Sequence, residues 1–181
     1  MIAFKGFNKN LTCRGYKFSK TKVNREKAAK AVNCGLHCAA NPLDCLKYYS
    51  DMENAVYYKV SAEGNVNEDG ADTKIACTEL RLLEELDLRS FVMYAAEYIV
   101  SHPYLKDNSN VSTEKGMSNH NHFAIVRGKQ PKAAGRKNGD VLVMLQEYAG
   151  SKEIKKAAMY IAGQNGIKCN TYYNISGKKV V

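Results

Sequence analysis

The stretch Cys34–Tyr49, CGLHCAANPLDCLKYY, places three cysteines and a histidine at a point where a strand passes into a helix. Alternate residues from Cys34 to Cys38 are small or apolar, as expected on the inner face of a strand. Asn41 is a favourable N-cap and Pro42 suits the first helical position. The sequence therefore predicts a strand, a short connection and a helix over residues 42–49.

The cysteines of this stretch also raise three chemical alternatives. A zinc site would draw its four ligands from Cys34, His37 and Cys38 with Cys45 or Cys13. A thiol nucleophile would need His37 or His120 as its base, and His120 with His122 forms a tandem pair that is able to bind a metal. No second Cys-x-x-Cys or His-x-x-x-His pair completes a standard zinc site, so we expect no metal, no cofactor and no catalytic residue.

The remaining periodicity suggests an α+β fold. Val56–Val60 and Thr73–Leu82 are typical of strands, whereas Leu88–Ile99 carries one apolar stripe that predicts a long amphipathic helix capped by Asp87. The sequence thus predicts an N-terminal α/β unit, containing the GLHCAANPLDCLKYY element and this helix, and a small β-rich C-terminal unit.

Three segments follow from this pattern. They are an N-terminal α+β domain over residues 1–106, a polar linker or loop over 107–121 (DNSNVSTEKGMSNHN), and a basic β-rich unit over 122–181. No long apolar run or signal peptide is present, so a cytoplasmic protein without a membrane partner and with reduced cysteines is expected. The strand edges and the apolar helix are compatible with a homodimer.

The net charge of +9 is concentrated at the two ends of the chain. Residues 1–30 hold nine Lys or Arg against one acid, residues 31–107 hold six against thirteen, and residues 108–181 hold twelve against four. A basic face able to bind nucleic acid or a nucleoprotein is predicted. Its residues are Arg14, Lys17, Lys20, Lys22, Arg25, Arg127, Lys129, Lys132, Arg136 and Lys137. The alternative is that these lysines and arginines only maintain solubility.

Several motifs occur in an order that resembles a known family. AFKGFNKNLTCRGYKF, CGLHCAANPLDCLKYY, YYKVSAEGNV and TKIACTELRLLEEL are similar to a domain of unknown function common in phages and prophages of Gram-positive bacteria. The C-terminal stretches NHFAIVRGKQPKAAGRKNGDVLVMLQEY and NTYYNISGKKVV resemble the tail of the same proteins. The resemblance implies a mobile-element setting and a compact version of the family.

GLHCAANPLDCLKYY also resembles the strand and following helix of ADP-ribosyltransferase-like folds. That resemblance implies that Lys5–Phe7 forms the first strand, that His37 faces a nicotinamide pocket, and that Tyr48 or Tyr49 walls it. Glu79 or Glu84 would supply the carboxylate. The usual first-strand His or Arg is absent at Lys5 or Gly6.

Small size, a phage-like setting and basic ends together indicate a non-enzymatic inhibitor of a host defence system. The function expected is an anti-CRISPR protein that binds an RNA-guided Cas nuclease or its nucleic-acid complex and blocks DNA recognition or cleavage. The alternatives are an ADP-ribosyltransferase-like enzyme and a phage accessory protein that binds DNA or RNA directly.

Overall fold

The computed structural model describes residues 1–30, 33–68 and 73–180, and the chain divides into two compact units, Met1–Asp87 and Leu88–Val181. Strands account for 49% of the residues and helices for 11%, and one helix within the described ranges has seven or more residues. The predicted α+β class with a long amphipathic helix is therefore wrong, and the protein is mainly β. The cause is that polar segments expected to be loops extend the strands.

Seven strands lie in the described residues of the N-terminal unit. They are β1 (Ile2–Asn8), β2 (Thr12–Cys13), β3 (Tyr16–Lys17), β4 (Asn24–Arg25), β5 (Leu36–Ala39), β6 (Ala55–Glu68) and β7 (Lys74–Leu86). Five of them form a sheet in the order β4-β7-β5-β1-β6, and β6 also pairs with β7. Strands β7, β5, β1 and β6 therefore make a closed ring of pairings, which is a small barrel.

Apolar side chains at alternate strand positions point inward and fill the inside of this ring. Ala3 and Phe7 on β1, with Tyr58 and Val60 on β6, belong to one buried apolar cluster. Because side chains of a strand alternate between its two faces, Lys5 shares the inner face of β1 with Ala3 and Phe7. The strand thus carries one lysine at a position that its sequence pattern assigns to the core.

The predicted helix over residues 42–49 is a short 3-10 helix, Pro42–Lys47. Its N-cap is Asn41, whose side-chain oxygen accepts a hydrogen bond of 3.0 Å from the backbone N–H of Leu43. Six residues are too few for a stable α-helix, and burial of Leu43 and Leu46 holds the turn in place.

Over its described range, 88–180, the C-terminal unit has one helix and six strands. They are α1 (Leu88–Ser101), β8 (Val111–Met117), β9 (Phe123–Ala134), β10 (Val141–Glu147), β11 (Ile154–Ile161), β12 (Tyr172–Asn174) and β13 (Lys179–Val180). The sheet order is β11-β10-β9-β12-β13, with β8 on the other side of β9, and β9 runs parallel to both β8 and β10. Phe91, Val92, Ala95 and Ile99 form the buried face of α1.

The division of the chain differs from the one expected. Along the chain, the boundary between the two units lies between Asp87 and Leu88, not at residue 106. Residues 107–121, expected to be a linker or loop, contain strand β8. A polar sequence forms a strand here because β8 lies at the sheet edge, where Thr113–Lys115 is exposed. Among the described residues, no helix combines the length and apolar character that a membrane crossing requires.

Candidate ligand-binding site

A cavity of about 550 Å³ lies in the N-terminal unit, within the range of small-molecule sites. Its wall comes from β1, β5, the turn between β2 and β3, the 3-10 helix and the start of β7. Strands β1 and β5 pair at Phe4 and Ala39, and both then line the cavity, Lys5 and Gly6 on one strand and His37 on the other. The cavity therefore opens where the two strands part.

The Lys5 side chain bridges this opening. Its ammonium donates a 2.6 Å hydrogen bond to the carbonyl oxygen of His37 and lies 3.6 Å from the Cys13 sulfur. The rings of Phe7 and Phe18 have their centroids 5.3 and 5.1 Å from Nζ, a distance typical of cation–π contact. Lys5 is only 5% exposed, and no carboxylate of the described residues lies within 4.0 Å of its Nζ. A buried positive charge thus lines the cavity without a carboxylate counter-ion from the described residues.

The His37 ring has a buried Nε2 atom without a hydrogen-bond partner among the described residues. Burial lowers the pKa of His37, and the charges of Lys5, Arg14 and Lys74 lower it further. Those three cations all line the cavity. The electrostatic surroundings of His37 are therefore positive, and they disfavour the protonated imidazole.

Aromatic rings form another part of the wall. A Cβ atom at Gly6 would lie 2.8 Å from Cδ2 of Tyr49, so the missing side chain of Gly6 is the space that this ring occupies. The Tyr57 hydroxyl donates a hydrogen bond to the Tyr49 carbonyl and fixes the backbone there. The ring of Tyr48 lies 5.0 Å from Lys74 Nζ. The helix end thus presents two tyrosines to the cavity, beside cationic groups.

Arg14 reaches the cavity from a tight turn. The turn joins β2 to β3, Cys13 pairs with Tyr16, and both central residues have positive φ, 48° at Arg14 and 80° at Gly15. This conformation is typical of a two-residue hairpin turn, in which glycine is favoured at the second position. Arg14 is exposed and makes no ion pair among the described side chains.

Two buried cysteines of the cavity wall, Cys38 and Cys45, have raised pKa values and are poor nucleophiles. Burial raises the pKa of the Cys45 thiol to about 12. A hydrogen bond to Cys77 and burial raise the pKa of Cys38 well above its ordinary value. Cys34 is exposed, and the described residues include no group of three or more His, Cys, Asp or Glu arranged to hold a metal. The charged and polar groups of the wall offer electrostatic attraction and hydrogen bonds to a ligand.

The first half of the predicted basic face lies in the N-terminal unit. Lys20 pairs with Glu85 at 2.9 Å and Arg25 pairs with Glu79 at 3.2 Å. The Lys17 ammonium donates to the Asn10 carbonyl, Lys22 is exposed, and Arg14 lines the cavity. Two of these five cations thus have a carboxylate partner, and one belongs to the cavity.

Arg127, in the second half, is a core residue and not part of a basic surface. It is 3% exposed, pairs with Asp107 at 2.8 Å and with Glu147 at 2.7 Å, and donates to the carbonyls of Pro103 and Lys152. The prediction that Arg127 faces a partner is therefore wrong. The partners of Arg127 are 20 or more residues away from it in the sequence, so the local sequence pattern does not reveal these contacts.

The other four residues of that half are solvent-accessible to different degrees. Lys129, Arg136 and Lys137 are exposed, and Lys132 is half-buried on β9. Arg136 donates from Nε to the Ser118 carbonyl at 2.8 Å. All four lie in the C-terminal unit, whereas the first five cations lie in the N-terminal unit.

Sequence reasoning identified part of the cavity and missed the rest. His37, Tyr48 and Tyr49 line it as the ADP-ribosyltransferase-like resemblance implied, but Glu79 and Glu84 do not. The acids in its wall are Glu26 and Asp44. The signal for Lys5 is its position between Ala3 and Phe7 in IAFKGFN, an inward position of a strand that is otherwise apolar.

Comparison with known proteins gives one match. Residues 1–94 match the family described as "Domain of unknown function (DUF7666)", and this range contains the whole N-terminal unit and the cavity. No curated protein and no solved structure matches the chain. Because the family covers more than half of the 181 residues, the chain belongs to the DUF7666 family of domains of unknown function.

Proposed function

We propose that the N-terminal unit binds a small anionic ligand with a planar ring, of the nucleotide class, in the cavity beside Lys5 and His37. The observation that carries the proposal is the Lys5 ammonium, which is buried at the cavity wall without a carboxylate partner among the described residues. The ammonium has the His37 carbonyl and two aromatic rings as neutral partners, and a bound anion would add the opposite charge that stabilises a buried cation further.

The rest of the wall suits the same ligand. Arg14 and Lys74 also line the cavity and add positive charge there. The rings of Tyr48 and Tyr49 offer surfaces on which a base can stack. Charge and aromatic surface together favour a nucleotide over free phosphate.

Calorimetric titration with AMP tests this proposal, with adenosine as the ligand that lacks the phosphate. We expect AMP to bind at least tenfold more tightly than adenosine, which corresponds to about 1.4 kcal/mol. Lys5→Met should abolish the difference, and Arg14→Gln, at an exposed position, should reduce it. Lys22→Met removes an exposed lysine of the same unit outside the cavity and should change nothing. Equal binding of AMP and adenosine contradicts the proposal.

An ADP-ribosyltransferase-like activity is the second candidate. It is favoured by the presence of His37, Tyr48 and Tyr49 in the wall of one cavity. Its expected carboxylates are elsewhere, since Glu79 pairs with Arg25, so Glu26 and Asp44 are the acids in position. Incubation with NAD and detection of released nicotinamide tests it. Activity that is lost in Glu26→Gln or Asp44→Asn supports an enzyme, and binding of NAD without release supports a binding module.

The inhibitor function expected from the sequence stays a proposal. A cytoplasmic setting in a bacterial host and a Cas nuclease partner belong to it. Its support is the net charge of +9, carried by side chains that include the exposed Lys129, Arg136 and Lys137. Adding the purified protein to an RNA-guided Cas nuclease and measuring DNA cleavage tests it directly.

A further inference from the structure

A row of lysines crosses the sheet of the C-terminal unit. Lys115 on β8 lies directly opposite Lys132 on β9, and Lys132 lies opposite Asn174 on β12. The backbone N–H of Asn174 donates to the carbonyl of Lys178 at 2.9 Å, so Lys178 continues the row. We propose that this row binds the phosphodiester backbone of nucleic acid, a function separate from the cavity of the other unit.

The row occupies the outer face of the sheet. The next row, which contains Ala133 and Tyr173, belongs to the buried cluster of this unit. Since neighbouring rows of a sheet point to opposite faces, the lysine row lies on the face opposite this cluster, where Lys115 and Lys178 are exposed and Lys132 is half-buried. Neighbouring strands are about 4.8 Å apart, so the row extends over roughly 14 Å.

A β-bulge adds a fourth lysine. Thr113 pairs with Arg127, and the next pair is Lys115 with Lys132, so a single β8 residue, Glu114, faces four residues of β9. The Glu114 carboxylate accepts hydrogen bonds from the backbone N–H groups of Lys129 at 2.7 Å and Gln130 at 2.9 Å. The bulge thus places Lys129 beside the row, in a groove of about 340 Å³.

The positive charges of this row have no carboxylate partner within the described part of the protein. No carboxylate there lies within 4.0 Å of the ammonium of Lys115, Lys129, Lys132 or Lys178. Like charges directly opposite each other destabilise a sheet. The acid in the groove, Glu114, already accepts two backbone hydrogen bonds. The ring of Tyr172 holds Lys115, with Nζ 4.2 Å from its centroid.

The geometry favours a polyanion over a single ion. The ammonium groups are spread along an exposed line and do not converge on one point, so a lone phosphate has no enclosed position among them. A nucleic acid has regularly repeated charges, and each neutralised phosphate releases counter-ions, which supplies most of the affinity at low salt. The row therefore fits a chain of phosphates.

Fluorescence anisotropy with a labelled 20-nucleotide DNA, single-stranded and duplex, tests the proposal over a salt series. The wild-type protein should bind with a log–log salt slope of about −0.7 per phosphate contact for single strands and −0.9 for duplex. The triple variant Lys115→Gln, Lys129→Gln, Lys132→Gln should bind at least tenfold more weakly. The magnitude of its salt slope should fall by an amount that corresponds to about two to three phosphate contacts. The control triple Lys155→Gln, Lys156→Gln, Lys168→Gln removes the same charge from other exposed positions and should weaken binding less than threefold.

Thermal unfolding of each variant shows whether the fold is intact, and the triple variant should be as stable as the wild type because it relieves repulsion. If it does not fold, Lys178→Gln at the end of the row replaces it, with Lys168→Gln as its control. Equal weakening by the two triples, no wild-type binding at low salt, or equally tight binding of poly-glutamate through the same lysines would overturn the proposal. AMP binding should be unchanged in the row variants, so this test and that of the cavity fail independently.

Discussion

The ammonium of Lys5 lies 2.6 Å from the carbonyl oxygen of His37, so a side chain connects β1 to β5 where their backbones part. The same lysine gives the cavity a buried positive charge and helps to lower the pKa of the His37 ring. One residue thus links the closure of the barrel to the electrostatics of the candidate site. Ligand affinity and local stability of this unit should therefore depend on each other.

Gly6→Ala should damage the cavity wall. The added Cβ would lie 2.8 Å from Cδ2 of Tyr49, closer than side chains pack, and the ring must move. We expect a loss of about 1–3 kcal/mol in the free energy of unfolding and weaker AMP binding. Chemical denaturation of Gly6→Ala, Tyr49→Ala and the double variant measures the coupling. If Gly6→Ala costs as much in the Tyr49→Ala background as in the wild type, the contact with the ring is not the cause.

Arg127→Met should strongly destabilise the C-terminal unit. The guanidinium is buried, and its loss removes the closer of two cationic partners of the buried Glu147 carboxylate, which lies 2.7 Å from Arg127 and 3.6 Å from the exposed Lys152 ammonium. Removing one member of such a pair costs about 3–5 kcal/mol. Lys129→Met, two residues further along β9 and exposed, is the matched control and should change stability by less than about 0.5 kcal/mol. Urea unfolding that gives the two variants similar stability would argue that Arg127 does not have a structural role.

Asp140 should make the stability of the C-terminal unit depend on acid pH. It is 1% exposed, and burial alone would raise its pKa. Hydrogen bonds from the Ser118 hydroxyl, the His122 ring at 2.9 Å, and the backbone N–H groups of Arg136 and Lys137 outweigh burial and lower the pKa. Because the folded pKa lies below the unfolded one, near 3.9, the stabilisation is complete above about pH 5 and is lost as the pH falls through the folded value.

Asp140→Asn should therefore lower stability at pH 7 by about 1.5–3 kcal/mol and remove part of the acid dependence. Unfolding curves between pH 2.5 and 7 measure both effects. Glu153→Gln, which changes an exposed carboxylate of the same unit, is the control and should leave the pH profile as it is. If the stability of Asp140→Asn depends on acid pH as much as that of the wild type, other carboxylates cause the acid dependence.

Strands with regular alternation could be predicted from the sequence, but partners distant in the chain could not. Val56–Val60 lies within β6, and all of Thr73–Leu82 except Thr73 lies within β7, because apolar residues at every second position fit a half-buried strand. The polar stretch 107–121 gave no such signal, and β8 forms there because pairing with β9 satisfies its backbone. Composition alone therefore underestimates edge strands.

The candidate site was likewise only partly predictable. The strand and helical turn around His37 could be read from local spacing, together with the tyrosines that follow. The position of Arg14 beside His37, and of Lys115 opposite Lys132, depends on strand pairing and on a bulge that no local pattern encodes. Charge counts suggested a basic surface, but they could not separate the buried Arg127 from its exposed neighbour Lys129.

The pKa of the His37 imidazole, followed by NMR with and without AMP, tests the account of the cavity most directly. The chain has four histidines, and His37→Asn identifies the signal. We predict that His37 in the free protein titrates below the ordinary histidine value, because of burial and the charges of Lys5, Arg14 and Lys74. AMP should raise that pKa, because its phosphate offsets those charges, and adenosine should not. A His37 that titrates at its ordinary value in the free protein, or is unaffected at saturating AMP, would contradict an anion site at this position.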